Sequence, residues 1–205
     1  MKFMPALRTT AVAAVLGVSS LANAATLVQN GSFEDTVLAN GTFAIFDSLP
    51  GWTTTTGNGI EVRNNAVGAA QDGNNFVELD TRANSSMLQT ISTVLGQVYE
   101  LTFWYSPRIN MPANTNGIEA WWGNTLLTTP AITGIGGTSN NWTSYTFSVV
   151  GTGSDVLKFS AVGTSDTFGG NIDNVSLSAV PLPGAALLFG SALLGFMGFS
   201  NRRKV

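Results

Sequence analysis

The central part of this chain alternates apolar and polar residues with a period of two. In the longest example, VYELTFWY (98–105), Leu101, Phe103 and Tyr105 fall on one face. This alternation predicts a β-strand with one buried face, because successive side chains of a strand point to opposite sides. No stretch between the two ends of the chain repeats its apolar residues every 3.6 positions, so we expect no amphipathic helix there.

Four further stretches follow the same rule, and Gly-rich polar turns separate them. Their predicted inward residues are Val77 and Leu79; Tyr145, Phe147 and Val149; Leu157, Phe159 and Ala161; and Ile172, Val175 and Leu177. The last group breaks strict alternation, which predicts a β-bulge near Asp173 and Asn174. In FVELD (76–80), Phe76, Glu78 and Asp80 are predicted to face outward. About 155 residues fit one all-β domain, an antiparallel β-sandwich of roughly eight to ten strands.

The composition excludes several kinds of chemistry. The chain contains no Cys and no His, which rules out disulfides, Cys nucleophiles, Ser-His-Asp triads and Cys/His zinc sites. Five of the nine basic residues lie at the two ends. The interior therefore sets four basic residues against twelve acidic ones, a formal charge of −8. We expect no nucleic-acid partner, since phosphate binding needs clustered Lys and Arg.

The first 24 residues have the three parts of a secretory signal peptide. Lys2 and Arg8 supply the basic region, residues 11–21 the apolar region, and Ala22 and Ala24 the small residues of a cleavage site. We predict that Ala25 becomes the N-terminus, with the Sec translocon and signal peptidase as partners during export.

The other end of the chain has the pattern of a membrane segment. No residue from Leu182 to Phe199 is charged, and these 18 residues would form a helix of about 27 Å, enough to cross a bilayer. A basic tail follows (201–205), and a short motif precedes it: Val180, Pro181, Leu182, Pro183 and Gly184. The positive tail is expected to stay in the cytoplasm.

This order of motif, thin apolar segment and basic tail resembles the sorting signal of PEP-CTERM bacterial proteins, in its Val-Pro-Leu-Pro variant. That variant usually has Ala where this chain has Gly184. The resemblance implies an exosortase as partner and an inner-membrane precursor that is later transferred to the cell surface or extracellular matrix, in association with exopolysaccharide. A plain tail anchor is the alternative. The predicted organisation is signal peptide 1–24, β-sandwich 25–179 and sorting signal 180–205.

The body also resembles a known class of secreted domains. NGSFE, PGW, DGNNFVELD and GGNIDNVSL occur in the order seen in jelly-roll domains of the galactose-binding-like and carbohydrate-binding-module type. The resemblance implies a sugar-binding or matrix role. It also implies one structural Ca²⁺, whose acidic ligands map to Glu34 (or Asp35) and Asp173. The alternative is that these acids are solvated turn residues.

Two tryptophans are candidates for stacking against sugar rings. Alternation puts Trp104 on the polar face with Glu100, and Trp121 on the polar face with Glu119, while Trp122 faces the core. We expect their strands to be neighbours in one sheet, so that both rings form one platform. The alternative is that long loops cover both rings.

Arg108 and two acidic residues leave further alternatives open. Arg108, at the end of the long strand, would either donate to sugar hydroxyls at the rim or pair with a carboxylate. Glu78 and Asp80 are two apart on one strand, about 6.6 Å, a spacing that a carboxylate-based glycosidase could use. We therefore weigh a non-enzymatic glycan-binding surface protein, which we favour, against a purely structural surface protein and a glycan-active enzyme.

Overall fold

Every regular element that the structure describes is a β-strand. The structure, a computed structural model, describes residues 25–181. The strands in chain order are β1 (Thr42–Phe46), β2 (Ser48–Leu49), β3 (Trp52–Thr56), β4 (Ile60–Asn64), β5 (Asn75–Glu78), β6 (Ser86–Ser92), β7 (Val98–Ser106), β8 (Gly117–Trp122), β9 (Thr125–Leu126), β10 (Thr143–Val150), β11 (Ser154–Val162) and β12 (Asn171–Ala179).

The strands form two antiparallel sheets. Sheet A has the order β1-β4-β5-β12-β7-β10, and sheet B has the order β2-β3-β6-β11-β8-β9. The predicted antiparallel β-sandwich is therefore confirmed. The described residues form twelve strands rather than the predicted eight to ten. Two of them, β2 and β9, have only two residues each, which is too short for an alternating pattern to be recognised.

The inward faces of the two sheets meet through aromatic side chains. Phe103 of β7 packs edge-on against Phe159 of β11, with ring centroids 4.9 Å apart. Within sheet B, Trp52 of β3 lies 6.0 Å from the same Phe159 ring and extends the aromatic cluster. The predicted inward residues Leu101, Phe103 and Tyr105 are all buried, so the faces of β7 follow from its alternation as expected.

The bulge predicted near Asp173 is present in β12. The register between β12 and β7 shifts between Asp173 and Ser176, and Asn174 has a φ of 46°. On the opposite edge of β12, where β5 pairs only with Asn171 and Ile172, the N-terminal segment bonds the rest of the strand. Leu27 donates to the Leu177 carbonyl at 2.8 Å, and Val175 donates to the Gly31 carbonyl at 2.9 Å.

The outer face of β5 differs from its prediction. Phe76, Glu78 and the following Asp80 point away from the core, but all three are fully buried rather than exposed. Phe76 packs edge-on against Trp142 at 5.8 Å, and Asp80 accepts the main-chain N–H of Asp166 at 2.8 Å. Loops therefore cover this half of sheet A, which strand periodicity alone does not reveal.

The predictions for the two ends of the chain lie outside the described residues. These are the signal peptide with Ala22 and Ala24, and the apolar segment with its basic tail from Leu182 onward, which includes Pro183. Val180 and Pro181 are described, and both are exposed. Within residues 25–181, no helix is long and apolar enough to cross a membrane.

Candidate functional site

The outer face of sheet A, beyond the loop-covered half, carries small hydroxyl side chains and the exposed Glu100 around one tryptophan. Trp104 of β7 pairs with Ser144 of β10 on one side and with Asp173 of β12 on the other. In the row below, the hydroxyl groups of Thr102 and Thr146 lie 3.0 Å apart. We call this surface the hydroxyl face; its members are Trp104, Thr102, Ser144, Thr146, Ser148 and Ser176.

Trp104 differs from the other tryptophans in its lack of partners. The chain has five tryptophans, all within the described residues. Four indole N–H groups donate to protein oxygens: Trp52 to Asn30, Trp121 to Glu119, Trp122 to Val150 and Trp142 to Ala69. Within residues 25–181, the Trp104 side chain makes no hydrogen bond, ring contact or cation–π contact, although its main chain pairs with β10 and β12. The residue is half-buried, so part of it is accessible to solvent.

The loop containing residues 69–75 borders the hydroxyl face on the side of Asp173. Trp142 holds the loop through its bond to the Ala69 carbonyl at 3.0 Å. Asp173 holds it from the sheet, because its Oδ2 accepts the main-chain N–H groups of Gln71 at 2.7 Å and Asp72 at 3.0 Å. The loop therefore contacts Asp173, which is fully buried, while the neighbouring Trp104 is half-buried.

Asp173 is a buried acid with a shifted titration. Burial raises the pKa of its carboxyl group to about 7, although the N–H groups of Asp72, Gln71 and Asn174 oppose this shift. The carboxyl group is fully inaccessible to solvent. Its place between the bulge and the loop gives it a structural task independent of any ligand.

Glu34 and Asp173, the predicted calcium ligands, both contact this loop. Glu34 Oε1 accepts the N–H groups of Asn74 at 2.8 Å and Asn75 at 2.6 Å, much as Asp173 accepts those of Gln71 and Asp72. These hydrogen bonds occupy lone pairs that Ca²⁺ would otherwise use, but each carboxylate has about four such sites and keeps at least one. No group of three or more acidic side chains converges anywhere in 25–181. Calcium binding thus stays a prediction from the sequence, with its own test below.

Arg108 lies in a buried ionic cluster with Arg63, Glu61 and Glu78. Glu78 Oε2 accepts from both Arg63 Nη2 and Arg108 Nη1, and Arg63 also lies 2.5 Å from Glu61. The Phe168 ring covers the Arg108 guanidinium at 4.7 Å. The sequence left two roles open for Arg108, donation to sugar hydroxyls or pairing with a carboxylate. In the structure it pairs with the Glu78 carboxylate.

The acids considered for catalysis are bound to other groups. Glu78 accepts from two guanidinium groups and from the Gly169 N–H at 2.6 Å, and Asp80 accepts from the loop at Asp166 and Thr167. Burial raises the pKa of Glu78 to about 7, against the lowering effect of Arg63 and Arg108. Neither carboxyl group is exposed to a substrate. Glu78 and Asp80 were candidates for catalysis only because of their spacing in the sequence, and that spacing carries no information on whether the side chains are buried.

Trp121 does not share a surface with Trp104, contrary to the prediction. Trp104 is on β7 in sheet A, whereas Trp121 is on β8 in sheet B, so the two rings lie on opposite outer faces. Lys158 Nζ lies 4.5 Å from the centre of the Trp121 ring, and the indole N–H donates to Glu119 Oε2 at 3.2 Å. Alternation gave the face of each strand correctly, but it carries no information on which sheet a strand joins.

Solved structures share this fold at low sequence identity. A family 61 carbohydrate-binding module in complex with β-1,4-galactotriose matches with a TM-score of 0.52 and 16% identity, over 76% of this chain and 99% of that one. A family 16 carbohydrate-binding module matches with 0.50 and 14%, over 74% and 98%. The arabinose-bound α-L-arabinofuranosidase MgGH51 matches with 0.51 and 12%, over 77% of this chain and 27% of the enzyme.

These likenesses show the fold: the β-sandwich is of the kind found in carbohydrate-binding modules, as the sequence resemblance implied. The match spans nearly the whole of both modules but about a quarter of the arabinofuranosidase. No protein-family model and no curated protein matches the sequence.

Proposed function

We propose that the protein is a non-enzymatic glycan-binding module and that the hydroxyl face is its binding surface. The observation that carries this proposal is Trp104, a half-buried ring without any protein partner in the middle of a polar sheet face. Tryptophan offers a large apolar surface at low entropic cost and adds one N–H donor, which suits the apolar face and hydroxyl rim of a sugar.

The neighbours of Trp104 suit a chain ligand. Ser144, Thr146 and Ser148 succeed one another on the outer face of β10, and the strand rise separates the first and last by about 13 Å. Small hydroxyl side chains leave the backbone accessible and both donate and accept hydrogen bonds. A sugar chain lying along β10 would therefore meet a series of polar contacts below one stacking ring.

The predicted ends of the chain support the proposal that this module belongs to an exported protein. A signal peptide at 1–24 and a sorting signal at 180–205 would deliver it, through an exosortase, to the cell surface or extracellular matrix. Matrix glycans are repetitive, so weak binding at single sites would gain strength from many copies. We infer that exopolysaccharide is its natural ligand class.

The test compares two outward tryptophans on opposite sheets. Trp104→Ala is expected to abolish glycan binding on a glycan array while leaving the melting temperature nearly unchanged, because the side chain lies on the outer face of β7 and is not part of the core. Trp121→Ala is the matched control and should keep binding. Loss of binding in Trp121→Ala alone would move the site to sheet B. Absence of glycan binding by the wild-type protein would instead favour a purely structural surface role.

A further inference from the structure

One end of the sandwich carries a group of exposed aliphatic side chains. Leu95 is 78% exposed, Val94 66% and Val150 53%, and Val98 and Val180 are about 40% exposed. We call these five residues the aliphatic rim. Isolated exposed aliphatic residues are ordinary on protein surfaces, but a contiguous group marks an interaction surface.

Main-chain bonds show that the rim is contiguous. Val98 pairs with Val150 across β7 and β10, and Val180 donates to the Val98 carbonyl at 2.9 Å, which sets three valines side by side. The Val94–Gln97 turn lies against the next turn, since Gly96 donates to the Gly151 carbonyl at 2.8 Å. Leu95 is at the tip of its turn, so the rim projects furthest there.

The rim contains no charge. Residues 88–99, 141–154 and 174–181, which form this end of the sandwich, include no Asp, Glu, Lys or Arg, and the exposed Glu100 lies one row from Val98 on the outer face of sheet A. Asp155 follows directly, but its carboxylate is buried and accepts hydrogen bonds from Thr93 at 2.5 Å and from the Thr152 N–H at 2.8 Å. A surface of this composition can leave water without desolvating a charged group.

We propose that the aliphatic rim docks onto the lipid bilayer in the membrane-anchored form of the protein. The described chain leaves the sandwich at Pro181, the residue after Val180 of the rim. The next 18 residues, 182–199, are the uncharged apolar segment that the sequence predicts to span a membrane. The rim is therefore tethered next to a bilayer, and the tether raises the effective concentration of lipid at this surface.

A bilayer suits the rim better than a protein partner does. Specific protein interfaces bury about 800 Å² on each side around a packed centre, whereas the rim is five aliphatic side chains on turns and strand ends. Aliphatic side chains on projecting turns can enter the headgroup region without a complementary pocket. Since the rim has no Lys or Arg, its docking should not depend on anionic lipid. The proposal rests on the predicted membrane segment and is independent of glycan binding.

The chain has no Cys, so single labels can be placed without removing native residues. We would reconstitute the full chain into vesicles of phosphatidylcholine with and without phosphatidylglycerol, carrying an environment-sensitive fluorophore at Leu95→Cys. Val37→Cys is the control, because Val37 is 93% exposed and lies outside the rim. Spin-labelled lipid should quench the Leu95→Cys label several-fold more than the Val37→Cys label, equally in both vesicle types.

Three results would overturn the proposal. Equal quenching at both positions, or quenching of the Leu95→Cys label by aqueous iodide alone, would mean that the rim stays in water. Shielding of the Leu95→Cys label from water that increases with the protein-to-lipid ratio would mean that the rim forms contacts between copies of the protein. If spin-labelled lipid quenches the Leu95→Cys label only in vesicles that contain phosphatidylglycerol, the protein binds the bilayer through charge rather than through the aliphatic rim. Glycan binding by the same preparations, measured in parallel, keeps this outcome separate from that of the proposed function.

Discussion

At the scale of single residues, two buried carboxyl groups set how stability depends on pH. Burial raises the pKa of Asp173 from 3.8 and of Glu78 from 4.5, each to about 7. Between about pH 4 and 7 the folded protein holds protons that the unfolded chain has released. Stability contributed by these groups is thus complete below pH 4 and is lost as the pH rises through 7. We expect the urea midpoint to fall across this range.

Replacing Asp173 with Asn measures how much this carboxyl group contributes to the pH dependence of stability. Asp173→Asn should flatten the fall of the urea midpoint with pH, because the amide does not titrate. Asp47→Asn changes the net charge equally at an exposed position and should leave the slope as in the wild type. An unchanged or steeper slope in Asp173→Asn would contradict the assignment.

Removing the Asp173 carboxylate tests its structural role separately from calcium. Asp173→Ala leaves the N–H groups of Gln71, Asp72 and Asn174 without their acceptor, which should lower the free energy of unfolding by about 1–3 kcal/mol even in EDTA. Thermal melting measures it. A wild-type melting temperature that rises with millimolar calcium, while that of Asp173→Ala does not, would instead establish the calcium site implied by the sequence resemblance.

At the scale of strands, alternation predicts which face a residue occupies but not what covers that face. The inward sets of β7 and β11 and Trp122 of β8 are buried as predicted, whereas Tyr145 and Phe147 of the edge strand β10 are half-buried. The irregular spacing of Ile172, Val175 and Leu177 predicted the bulge. The same reasoning predicted that Glu78 is exposed. It is buried, because Arg63, Arg108 and the loop at Gly169 lie over it. These contacts join residues up to 91 positions apart, and no local pattern encodes them.

Adjacent tryptophans of β8 give an element-scale prediction. Trp122 is 8% exposed, and its indole N–H donates to the Val150 carbonyl at 3.0 Å, which connects sheet B to the edge strand of sheet A. Trp122→Ala should therefore lower the free energy of unfolding by about 3–5 kcal/mol. Trp121→Ala removes an outward ring and should cost far less. Chemical denaturation measures both, and the reverse order would mean that the register of β8 is shifted by one residue.

At the scale of the whole molecule, the charge of the body restricts the glycans that the hydroxyl face can hold. Residues 25–179 carry twelve acidic and four basic residues. Among the bases, Arg63 and Arg108 are already paired with carboxylates, and Lys158 stacks on Trp121. The summed negative field repels polyanions at low ionic strength. We expect binding of neutral polysaccharides with little dependence on salt, and weaker, salt-rescued binding of uronate-containing ones, as affinity electrophoresis at two salt concentrations would measure.

The route of the chain to the cell surface is the largest-scale prediction, and it rests on the order of elements in the sequence. The last strand, β12, ends at Ala179, and one further main-chain bond joins Val180 to Val98. A cut after Val180 within the 180–184 motif would therefore leave every strand intact. We expect surface-released protein to begin at Ala25 and to lack the C-terminal segment with Arg202 and Arg203. Intact-mass analysis of that material measures both ends at once. A released form that keeps the basic tail would contradict exosortase processing, and one that keeps Lys2 would contradict cleavage after Ala24.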